Sequence, residues 1–106
     1  MVKKILVNHI LTVVKGLKAD GLDVTRADLM PSELNTYYTL AISANWNKLG
    51  LMERHRIIGG KLREIIPHDL RKFILNVYTY NHPDEIEADM PLFAQWETPR
   101  VGVSLM

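Results

Sequence analysis

The chain has 106 residues, enough for one domain and too few for two. Hydrophobic residues make up 47% and charged residues 24%, so one modest core can form without staples. There is no cysteine, which excludes disulfides, thiolate metal sites and cysteine nucleophiles; 13 basic residues against 12 acidic ones lack the basic excess of a dedicated nucleic-acid binder.

No apolar run approaches the roughly 18 residues that span a bilayer, so no membrane partner is expected. Residues 2–17 open on two lysines and then carry Ile5, Ile10, Val13, Val14 and Leu17, a helical stripe. Asn8, His9, Thr12 and Lys15 interrupt the apolar run, which reads as a helix of the mature chain and not as a signal peptide. Gly16 and Gly21 bracket the helix end, and His9 reads as structural.

Residues 22–29 alternate imperfectly between apolar and polar and predict a strand. The Pro, Ser and Asn of residues 30–35 predict a turn. Residues 36–44, rich in Thr, Tyr and Ile, predict a second strand, antiparallel to the first. Asn45, Trp46, Asn47 and Lys48 form a polar corner, where Trp46 either anchors a partner or caps the core.

Leu51, Met52, His55, Ile58, Leu62, Ile65 and Ile66 then predict a second helix, limited by Pro67, with Glu53, Arg54, Arg56, Lys61, Arg63 and Glu64 opposite. His55, on the stripe, is either an imidazole ligand or a half-buried helix residue; the second is expected. Gly59 and Gly60 stand mid-helix, each costing about 1 kcal/mol against Ala, so close packing of another element is expected there.

Residues 69–72 suggest one helical turn, and residues 73–80 a third strand with Tyr78 and Tyr80 on one face. Pro83, Asp84 and Glu85 suit the start of a short last helix. The prediction is an α+β domain over residues 1–90. Its three-stranded sheet carries two main helices on one face, in the order helix, strand, strand, helix, short turn, strand, helix; residues 91–106 form an irregular tail.

The segment 42–58 carries a family signature. A strand runs into Trp46, and after a small turn the helix opens with Leu51-Met52-Glu53-Arg54-His55-Arg56. After the third strand comes His82-Pro83-Asp84-Glu85. In these features, over about residues 2 to 88, the chain resembles the BolA-like proteins. The resemblance implies a fold like the second class of KH domains. It also implies a non-enzymatic adaptor in the cytoplasm or an organelle matrix, with a monothiol glutaredoxin as partner and a [2Fe–2S] cluster shared with it. Partner contacts fall on Trp46, Arg54, His55, Arg56, Lys61 and Arg63.

The chain departs from the family where the cluster is held. The family's ligand histidine opens the third strand, where this sequence has Ile74-Leu75-Asn76. The second ligand belongs to the loop between the first two strands, where residues 30–35 hold neither Cys nor His. Clusters need thiolate or imidazole donors, which leaves His68 and His82, flanking the third strand, as candidate metal ligands. They lie near opposite ends of that strand, so each could give at most one ligand; each is otherwise a loop residue. The alternative is a KH-like nucleic-acid-binding domain with Arg54, Arg56, Lys61 and Arg63 on phosphate, extended by Arg71 and Lys72; the bland reading of these cations is a solvated face. There is no phosphate loop, His-Glu-x-x-His or nucleophile motif, so no catalysis is expected.

Overall fold

The computed structural model describes residues 2–31, 37–93 and 103–104, and the side chains of residues 4–31 and 37–89. The first helix, α1, runs Val2–Ala19. Leu6, Ile10, Val13, Val14 and Leu17 form its buried stripe, whereas Ile5 is 43% exposed. The stripe therefore starts one residue later than the sequence suggested. The helix stops at Gly21, whose φ of 97° is open to glycine. The Leu22 amide donates to the Leu17 carbonyl and the Gly21 amide to Lys18, the paired bonds of a Schellman stop.

Strands β1 (Asp23–Pro31) and β2 (Tyr38–Asn45) form the expected antiparallel hairpin. The imperfect alternation of β1 has a structural cause, a bulge between Val24 and Arg26. Beyond it, Ala27 and Leu29 face one side of the sheet and Arg26, Asp28 and Met30 the other. The turn predicted at residues 30–35 lies mostly outside the described residues.

Helix α2 spans Leu51–Ile65 and is followed by the single turn α3, His68–Arg71. This crossover returns the chain as β3 (Ile74–Tyr80), parallel to β2 from Tyr38↔Ile74 to Ser43↔Tyr80. Helix α4 then runs Pro83–Phe93. The Glu85 carboxylate accepts the amides of Asn81 and His82, one half of a capping box. Strand β4, Val103–Ser104, adds to β1 opposite Leu29 and Asp28. These two residues fall in the stretch expected to be irregular; residues 94–102, 105 and 106 lie outside the described residues.

The chain is thus an α+β protein with the predicted element order and a three-stranded mixed sheet, extended by β4 to β3-β2-β1-β4. One face carries α1 and α2 over a core of Leu6, Ile10, Leu17, Leu29, Leu40, Ile42, Ile58 and Leu62. On the other lies α4. Ile86, Met30 and Ala41 are buried there, apart from the main core. Asp28, fully buried on that face, accepts from Arg26 at 2.9 Å, and Arg26 reaches Glu87 of α4 at 3.6 Å.

Gly16 of α1, not the pair in α2, is the glycine at a helix–helix approach. A Cβ there would stand 3.2 Å from a Lys61 side-chain carbon, and one at Gly60 would meet nothing within 4 Å.

Candidate functional site: the strand–helix corner

The parallel pairing of β2 and β3 puts the end of β2 beside the end of β3, so residues 45–48 meet residues 81–82. Between them lies an open cleft of about 640 Å³, lined among others by Asn45, Trp46, Lys48, Arg54, Asn81 and His82. None of the described residues lining it is acidic.

Trp46 is only 2% exposed, so of its two sequence readings the structure takes the core cap. Its indole N–H donates to the Tyr80 carbonyl at 2.8 Å, which ties the corner to the end of β3. Asn47 and Lys48 follow in left-handed backbone, φ 51° and 69°. Asn tolerates that geometry; for Lys48 it costs on the order of 1 kcal/mol. The corner is therefore held by its anchors, not by local preference.

Arg54 is the second organiser. Its Nε donates to the Leu49 carbonyl at 2.8 Å and its Nη2 to Asn81 Oδ1 at 3.1 Å. The guanidinium stands 5.3 Å over the Trp46 ring, within cation–π range. These contacts fix a cation in the wall of the cleft.

The other predicted site residues are not gathered here. His55 is exposed, which corrects the half-buried position expected for it. Its supposed stripe is displaced: Leu51 is 64% and Met52 77% exposed, and α2 packs through Ile58 and Leu62. Leu51 and His55 share the Ile58–Leu62 line but stand in the first turns of α2, ahead of its first buried residue, Ile58; Met52 points away from that line. Arg56 is exposed and pairs with Glu53 at 3.0 Å. Lys61 bridges the two main helices, reaching Asp20 at 2.6 Å and Glu64 at 2.9 Å. The hydrogen bond to Asp20, then that to Glu64, raise its pKa. Arg63 is exposed beside Gly59. Of the four cations assigned to phosphate, three are thus engaged within the chain, which weakens the nucleic-acid reading.

His68 is exposed on α3, with Nδ1 3.5 Å from Arg71 Nη2. His82 lines the cleft at the other end of β3. A strand of this length, about 3.3 Å per residue, keeps the two imidazoles from one metal. Among the described residues no group of three His, Cys, Asp or Glu is placed to hold a metal ion.

Ile74 holds the position where the BolA-like resemblance would put a cluster ligand. Ile74 pairs with Tyr38 just after the β1–β2 connection, at the sheet end away from the corner. Its neighbours there are Tyr37 and Phe73, with ring centroids 6.2 Å apart. None of these three offers a thiolate or imidazole donor; His68 of α3 could give one ligand at most, and a lone imidazole does not make a cluster site.

Sequence reasoning found Trp46 and Arg54 but missed Asn81 and Lys48. Asn81 joins Arg54 only through the β2–β3 pairing, which local pattern does not encode. Lys48 is a plain surface lysine in sequence. No protein-family model matches the chain, and neither the curated proteins nor the solved structures yield a match.

Proposed function

We propose that the chain is a non-enzymatic adaptor of BolA-like type that binds a protein partner at the strand–helix corner and the first turn of α2. The observation that carries this reading is the pair Leu51 and Met52, 64% and 77% exposed in the first turn of a helix that is buried only from Ile58 onward. Large apolar side chains standing together in solvent, rimmed by polar residues, mark interaction sites. Met adds an adaptable contact surface. Both residues sit in the run that resembles the family, and the element order agrees with it.

The partner class given by that resemblance is a monothiol glutaredoxin or a relative. With no donor at Ile74, the chain serves as a scaffold on which the partner docks, and ligation of a cluster by this chain is no part of the reading.

The test is mixing with a monothiol glutaredoxin carrying a [2Fe–2S] cluster, followed by gel filtration and absorption spectroscopy. Co-elution supports the reading; separate elution with an unchanged spectrum rejects it. Met52→Glu is expected to abolish co-elution while leaving thermal stability within about 0.5 kcal/mol, as exposed substitutions do. Loss of binding through unfolding, seen by circular dichroism, would remove Met52 from the interface argument.

A further inference from the structure

The corner cleft combines features that the apolar pair does not explain. Among the described residues its lining holds two cations, Lys48 and Arg54, and three amide side chains, Asn45, Asn47 and Asn81, without a carboxylate. Arg54 is fixed there by Leu49, Asn81 and Trp46. Lys48 is exposed at the rim, and no ion pair among the described residues includes it. Leu51 lies three positions from each cation, and on a helix a three-residue offset places Leu51 and Arg54 side by side. A positive, amide-lined hollow thus adjoins an exposed apolar pair.

We propose that this cleft is a docking subsite for an acidic side chain of the protein partner, whose carboxylate sits against Arg54 and Lys48 while a neighbouring apolar residue covers Leu51 and Met52. The identity of the ligand's owner rests on the adaptor reading above; the chemistry of the cleft does not. A carboxylate fits better than a phosphate. Two nitrogens of Arg54 are committed to Leu49 and Asn81, so the guanidinium offers a fixed charge and its remaining N–H groups, not a free two-pronged grip. That suits a single negative charge with amide donors around it. Because Arg54 is already ordered, binding there loses little side-chain entropy.

The test uses the whole chain and two short peptides, acetyl-Leu-Glu-Leu-amide and its Gln counterpart, with inorganic phosphate as a third probe. The signals followed by NMR are the Trp46 indole N–H and the Arg54 Nε–H. The Glu peptide is expected to shift both saturably, and the Gln peptide to bind roughly ten-fold more weakly, the loss of one charge-assisted hydrogen bond. Lys48→Asn, which tolerates the left-handed backbone, is expected to weaken the Glu peptide several-fold with the fold intact. Equal binding of both peptides, or no shift at Trp46 and Arg54, overturns the proposal. So does tighter binding of phosphate than of the Glu peptide, which would make the cleft a free-anion site. Co-elution with glutaredoxin alongside a flat titration defeats the cleft assignment alone; a positive titration without co-elution defeats the adaptor reading above and leaves the chemistry of the cleft standing.

Discussion

A methyl group placed on Gly60 would meet nothing within 4 Å, and one on Gly59 only the tip of the Arg63 side chain. Both glycines therefore weaken α2 without a packing return among the described residues. Gly60→Ala is expected to stabilise the fold by about 1 kcal/mol, read as a higher urea midpoint with an unchanged slope. A lower midpoint would show that a partner or a second conformation needs that backbone open. Gly16 differs, since its Cβ would stand 3.2 Å from Lys61 and 3.4 Å from Ile65, two side chains of α2. The sequence places three glycines on helices but does not tell which faces a neighbour, because that depends on how the helices cross. Trp46 was ambiguous for a related reason. An aromatic at a polar corner turns inward only when a distant acceptor exists, and here it is the Tyr80 carbonyl.

At the level of elements, hydrophobic period and punctuation made the architecture readable. The Ile10–Leu17 part of the first stripe, the Gly21 stop, the Tyr- and Ile-rich β2 and the Pro83 start all appear in sequence and recur as helix, stop, strand and helix. The exposure of Leu51 and Met52 was not readable, because apolar residues at the start of a helical stripe look alike whether they face a core or a partner. The docking of α4 on the far face was equally hidden, because which side of the sheet a helix covers depends on how the chain turns after β3. Among the described side chains of α4, Ile86 alone is buried, helped by Glu87 on Arg26 and by Asp89 on the Tyr80 hydroxyl. Ile86 is the buried anchor that the described residues give α4, set apart from the main core, so its truncation is expected to loosen this helix first. Ile86→Ala is expected to raise amide exchange throughout α4 while the amides of α1 and β2 stay protected. Uniform loss of protection in every element would show that α4 belongs to the same cooperative unit.

Across the whole molecule, three groups link the fold to alkaline pH in the same sense. Burial raises the pKa of Tyr38; burial, then the hydrogen bond to Asp89, raises that of Tyr80; and hydrogen bonds to Asp20 and Glu64 raise that of Lys61. Above about pH 10 the unfolded chain releases these protons while the folded one keeps them. Their stabilisation is present in full at neutral pH and is lost as pH climbs through the folded values. The urea midpoint is expected to hold to about pH 9 and to fall above about pH 10, less steeply in Tyr80→Phe; an equally steep fall in that variant would remove Tyr80 from the account. The parallel seam between β2 and β3 has a kinetic consequence. The β1–β2 hairpin closes across a short connection, but β3 can reach β2 only after α2 and α3 have carried the chain back along the sheet. Such distant pairings are entropically costly to close and tend to form late. Val77, packed from β3 against the core, should accordingly contribute after the rate-limiting barrier. In Val77→Ala the unfolding limb of the chevron is expected to rise while the folding limb barely moves. A nascent chain ending before residue 74 would then carry β2 as an open, apolar edge.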